Sequence, residues 1–103
     1  MPDIEAIISF IRTEDGGKSH PVFNGYRPAH LVKEDYLTTG VHHYNGREKV
    51  ELGEEVVGTI TFISPEAYPG CLWLGKVISI QEAFHVVGYA KVTKIFNKIL
   101  EKE

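Results

Sequence analysis

Cysteine is nearly absent: Cys71 is the single one in 103 residues. An intramolecular disulfide and a cysteine-rich zinc site are therefore excluded, and a reducing, cytoplasmic setting is expected. Long apolar runs are missing too. None approaches the ~18–20 residues of a membrane-spanning helix. The opening Met1-Pro2-Asp3 has neither the basic nor the apolar segment of a secretory leader, so none is expected. A basic excess is also lacking. Eleven Lys and Arg stand against 14 Asp and Glu, a formal charge of −3. That balance opposes nucleic-acid binding by bulk attraction. No segment is low-complexity and no repeat occurs.

What is present is a globular composition, 43% apolar, 24% charged and 11% aromatic. It suits one domain with a single core. Ten glycines and five prolines punctuate the chain into short β-rich runs. Ile4 to Arg12 alternates, with Ile4, Ala6, Ile8 and Phe10 on one face. Glu14 to Lys18 reads as a turn around Gly16 and Gly17. Asn24 to Pro28 opens a second extended piece, with Pro28 at an edge, strand start or bulge. Leu37 to Tyr44 is a strand with Leu37, Thr39 and Val41 on one face, and Asn45-Gly46 is a turn. Val56 to Ile63, Leu72 to Ile80 and Val86 to Phe96 follow as strands. Residues 97–103 are expected as a frayed tail behind a domain of residues 1–96. Six or so antiparallel strands with turns every 8–15 residues predict an all-β fold, a small closed six-stranded barrel. Closure removes exposed edges; a two-sheet sandwich fits the same pattern.

Motifs for chemistry are weak. Gly70 to Lys76 has the spacing G-x-x-x-x-G-K. However, Val77 replaces the Mg²⁺-binding Ser or Thr, the interior is Leu72-Trp73-Leu74, and strand follows where a helix is needed. Nucleotide binding is not expected. Of the five histidines, His42 and His43 are adjacent and point to opposite strand faces. His30, one of that pair and a carboxylate could converge, but no spacing announces a metal site. Cys71 beside Leu72 and Trp73 reads as a buried, inert thiol. No G-x-S-x-G elbow surrounds any serine. No cofactor is expected, and no catalytic constellation is visible.

Three segments carry a resemblance. Glu14-Asp15-Gly16-Gly17-Lys18-Ser19-His20-Pro21-Val22-Phe23-Asn24-Gly25-Tyr26-Arg27-Pro28 resembles the E-E-G-G-R-H-T-P-F-F-x-G-Y-R-P segment of bacterial elongation factor Tu. Glu51-Leu52-Gly53-Glu54 through Ile63-Ser64-Pro65-Glu66-Ala67 is similar to its M-P-G-D-N strand and H-P-I-A turn. Ile80 to Ile95 is similar to its terminal hairpin, I-R-E-G-G-R-T-V-G-A-G-V-V. The likeness spans roughly residues 3–96. It implies the third, C-terminal β-barrel domain of that factor, which packs on a GTPase domain and a second barrel, touches the T-stem of aminoacyl-tRNA, and does no chemistry.

The resemblance implies tRNA contacts at Lys18, Thr39 and Glu82. It places Gly16, Gly17, Tyr26 and Arg27 on an interaction surface or rim. Ser19, Ala29, Ala83-Phe84 and His85 depart from the family's His, Gln, Gly-Gly and Arg. Bottom-up, Gly16 and Gly17 serve their turn, Tyr26 packs at the rim, and Arg27 ties loops together. The expected function is a non-catalytic, translation-linked binding module contacting tRNA or a translation-factor protein. The alternative is a protein-interaction or regulatory barrel with an altered surface and no RNA binding.

Overall fold

In the computed structural model, which describes residues 1–103, alternation decides what goes inside. Along β1 (Ile4–Phe10) the residues Ile4, Ala6, Ile8 and Phe10 are buried, and the residues between them are half-covered. The chain continues through β2 (Val22–Phe23), β3 (Ala29–Lys33), β4 (Tyr36–Tyr44), β5 (Lys49–Val50), β6 (Glu55–Phe62), β7 (Val77–Glu82) and β8 (His85–Ile95). Six of these strands close an antiparallel barrel in the order β1-β6-β4-β3-β7-β8, and β2 and β5 form a separate two-stranded ribbon. No helix is long and apolar enough to cross a membrane.

The ring closes where β8 returns to β1, with Ile8 opposite Ala90 and Phe10 opposite Gly88. That approach is too close for a side chain: a Cβ on Gly88 would lie 2.3 Å from the Ser9 carbonyl oxygen. Asp3 fastens the same seam at its other end. Its carboxylate accepts from Phe62 N–H at 2.7 Å and from Asn97 Nδ2 at 2.8 Å. Its backbone carbonyl accepts from Phe96 and Asn97 N–H. One buried residue thus joins the first strand, the sixth and the chain end.

Several boundaries differ from the sequence expectation. Leu72 to Ile80 is not one strand. Gly75 adopts φ +91°, Lys76 N–H closes a turn onto Trp73, and the strand starts at Val77. Pro28 stands immediately before β3, the strand start its missing N–H requires. In β4 the inward face is Thr38, Gly40, His42 and Tyr44, while Leu37, Thr39 and Val41 face outward. Apolarity misleads there because the inward face of β4 is aromatic and polar along its length. Residues 97–103 do not fray. A 3₁₀ turn (Lys98–Leu100) buries Leu100 fully, and Leu72 exchanges backbone hydrogen bonds with Leu100 and Lys102 at 2.8 Å each. Docking of one apolar side chain, together with a bridge from Leu72 to Glu101, offsets the entropy of ordering the segment.

Leu100→Ala is therefore expected to cost about 2–4 kcal/mol. In urea titrations the unfolding midpoint should fall at unchanged slope; an unchanged midpoint would mean that the tail contributes nothing.

Candidate interaction rim and the buried histidine pair

Two short glycines begin the rim. Gly16 sits at φ +91°, and a Cβ on Gly17 would lie 1.9 Å from the Ile11 carbonyl oxygen. Only glycine fits both places. The turn they make brings Lys18 back toward the barrel, where Thr13 Oγ1 donates to its carbonyl at 2.5 Å. Lys18 Nζ then donates to Glu82 Oε2 at 2.5 Å, an ion pair across 64 residues of chain. Tyr26 donates its hydroxyl to the same carboxylate oxygen, and Lys18 Nζ lies 5.2 Å from the Tyr26 ring centroid. His85 Nε2 donates to the Gly16 carbonyl at 2.5 Å.

These bonds set the local electrostatics. Lys18 first, then Tyr26, hold the Glu82 carboxyl below its usual range. Burial, then the bond to Glu82, pushes the Tyr26 phenol well above its ordinary value. Glu82 therefore stays ionised, and its charge cancels that of Lys18.

Of the residues singled out from the sequence, Gly16, Gly17, Lys18, Tyr26 and Glu82 meet at this rim. Thr39 does not join them by any side-chain bond. It pairs with Ala29, whose other neighbour is Gln81, so it shares a cross-strand row with the residue before Glu82. Arg27 ties no loops: it is exposed and enters no ion pair. Beyond Glu82, the turn residue Ala83 adopts φ +55°, and Phe84 projects with 92% of its surface exposed.

Two other motifs singled out from the sequence have partners within the fold. Lys76 of the G-x-x-x-x-G-K run donates to the carbonyls of Val32 at 2.5 Å and Cys71 at 2.7 Å. Its Nζ lies 4.5 Å from the Trp73 ring centroid. The ammonium ties β3 to the loop that carries Cys71. Cys71 is buried, and burial pushes its thiol above the usual range.

The sequence pattern did not disclose the buried polar chain beneath the rim. His30 and His42, both fully buried, meet Nε2 to Nε2 at 2.8 Å. His30 Nδ1 faces the Thr38 carbonyl at 3.2 Å, and His42 Nδ1 faces the Tyr44 hydroxyl at 2.9 Å. A carbonyl only accepts, so His30 carries its proton on Nδ1. With both rings neutral its Nε2 accepts, His42 donates from Nε2, and Tyr44 donates to His42 Nδ1. Every atom of this chain is then satisfied in that one order, and burial disfavours adding a proton. The one available signal was the β3–β4 hairpin register, which brings the two strands' inward residues together. No carboxylate or thiol completes a metal site, and no group of three such ligands occurs.

His42 packs edge-on to Tyr26 with ring centroids 5.7 Å apart, so the pair supports the rim from below. No protein-family model matches the chain.

Burial pushes His30 from 6.5 down to about 4. Burial, then the neighbouring His30 and His43, holds His42 well below the usual histidine range. Above pH 6.5 neither residue binds a proton, folded or unfolded, and stability is insensitive to them. Below it the unfolded chain takes up protons that the folded chain refuses, so stability falls as pH drops toward 4. His30 alone should remove about 3 kcal/mol over that window. Urea titrations at pH 7 and pH 4.5 check this, and His30→Gln should flatten the dependence. A stability that stays level from pH 6.5 to 4.5 would contradict a neutral, buried pair.

Proposed function

We propose that this chain is a non-catalytic binding module related to the C-terminal barrel of elongation factor Tu, and that its partner is a protein of the translation apparatus rather than tRNA. The observation that carries the choice of partner is the internal ion pair: the Lys18 ammonium is spent on Glu82. A cation already neutralised releases little counterion from RNA and adds little affinity. Phe84 stands where the resemblance calls for glycine, so a phosphodiester backbone cannot approach the turn closely. Support for the relationship comes from the six-stranded barrel itself. It comes also from the meeting of two resembling segments, residues 14–28 and 80–95, at one rim. Fold likeness alone does not confer a partner; the rim chemistry selects it.

The tRNA reading keeps one specific feature, the cross-strand row of Thr39, Ala29 and the buried Gln81, which bears no charge. Fluorescence anisotropy with labelled tRNA separates the two readings. At about 150 mM salt the half-saturation point is expected above roughly 10 µM, the same for charged and uncharged tRNA, and Lys18→Ala should change it less than about twofold. Nanomolar, aminoacylation-dependent binding would reverse the choice. Saturable GTP binding is not expected either, because Lys76 is already engaged by two carbonyls. Equilibrium dialysis with GTP, before and after Lys76→Ala, checks it.

A further inference from the structure

We propose that Asn45 is a site of spontaneous covalent modification. The turn between β4 and β5 converts there, through a cyclic imide, to aspartate and isoaspartate, while the identical Asn24-Gly25 pair is protected by the fold. The chain has three asparagines, and two of them, Asn24 and Asn45, are followed by glycine. That dipeptide is chemically singular. The glycine amide nitrogen can attack the asparagine side-chain carbonyl carbon, because no Cβ on the glycine stands in the way.

The two pairs form a matched comparison. Each occupies the centre of a β-turn. Tyr26 N–H closes the first onto the Phe23 carbonyl at 3.1 Å, and Arg47 N–H closes the second onto the Tyr44 carbonyl at 3.3 Å. Gly25 lies at φ +90° and Gly46 at φ +68°, and a Cβ on either would meet nothing within 4 Å. Both asparagines are exposed. Dipeptide, turn and solvent access therefore do not separate them.

Hydrogen bonding does. Asn24 Oδ1 accepts from Tyr44 N–H at 2.8 Å, and Gly25 N–H donates to the His42 carbonyl at 2.8 Å. The electrophilic carbon is fixed against β4, and the nucleophile cannot lose its proton without giving up a bond. Asn45 donates its backbone N–H to the Val57 carbonyl at 3.1 Å, but its side-chain amide and the Gly46 N–H have no partner within the chain. The third asparagine, Asn97, is held at both side-chain atoms, by Asp3 and by Ile99 N–H. Asn45 is thus the one asparagine whose side chain is free to turn onto the following nitrogen. Two hydrogen bonds that must first break slow the Asn24 pair roughly tenfold or more.

The steps balance with water alone. The Gly46 amide gives its proton to solvent, and its nitrogen bonds to Asn45 Cγ. The Cγ–Nδ2 bond breaks, and Nδ2 takes up a proton and leaves as ammonia. Water then opens the imide. Cleavage between Cγ and the nitrogen leaves aspartate. Cleavage between the main-chain carbonyl carbon and the nitrogen leaves isoaspartate, with the backbone rerouted through Cγ. Either product adds one negative charge two residues from Arg47, which already pairs with Glu54 at 2.6 Å.

The proposal does not rest on the translation reading, since the reaction needs only the chain and water. Peptide mapping by mass spectrometry tests it on the full chain, sampled during incubation in mildly alkaline buffer; electron-transfer fragmentation tells isoaspartate from aspartate. Asn45 is expected to convert at least tenfold faster than Asn24 and to give both products. In concentrated guanidinium chloride the two pairs should convert at similar rates, because the protection of Asn24 is lost with the fold. Asn45→Gln should remove the acidic species that accumulates on ion exchange. An Asn45 that stays intact, equal rates in the folded chain, or the same tenfold preference after unfolding each overturns the proposal.

Discussion

Closure of the sheet between β1 and β8 is the constraint on which everything else rests. Six strands can surround a core of this size only if the last pairs with the first. Gly88 lets them approach, and Asp3 latches the seam by accepting hydrogen bonds from β6 and from the chain end. Once the ring is closed, every strand has two neighbours and no barrel edge is left open. The hairpins and loops at the ends are then held in fixed relation to one another, and that relation builds the rim.

The interior pays unusual attention to polar groups for so small a barrel. Aliphatic side chains from β1, β6, β7 and β8 fill much of it. Among them lie His30, His42, Tyr44, Thr38 and Tyr68, all buried, with no buried side-chain nitrogen or oxygen lacking a partner. Thr38 Oγ1 and the Tyr68 hydroxyl satisfy each other at 2.9 Å. Gly40 makes the histidine pair possible, because a Cβ there would press on the His30 ring at 3.0 Å and on Ile60 at 2.7 Å. In its neutral state the network has a single proton order, and burial opposes an added charge, so it confers rigidity at neutral pH and sensitivity to acid.

The rim above this network balances its charges internally. Lys18, Glu82 and Tyr26 neutralise one another, and His85 holds the glycine turn. What remains for a partner is the exposed Phe84 and the unpaired Glu14, Asp15 and Arg27. A surface of this composition suits a protein neighbour, with apolar contact at its centre and complementary charge at its margin.

The sequence by itself determined the class of fold. Alternation in Ile4–Phe10 and in Glu55–Phe62, and turn residues at regular intervals, are local signals, and local signals suffice to define strands and the faces they bury. It determined the glycine turn too, since the Gly16-Gly17 requirement is a backbone property. Tertiary structure alone decided the rest. Whether Leu37 or Thr38 faces inward depends on the neighbours that the register supplies, not on the residue's own apolarity. Leu100 is anchored because Leu72, twenty-eight positions earlier, donates its backbone N–H to the Leu100 carbonyl. Lys18 reads in sequence as a free cation and becomes half of an ion pair only because the hairpin brings Glu82 across 64 residues to meet it. Short-range pattern carries no information about such meetings; the closed ring of strands does.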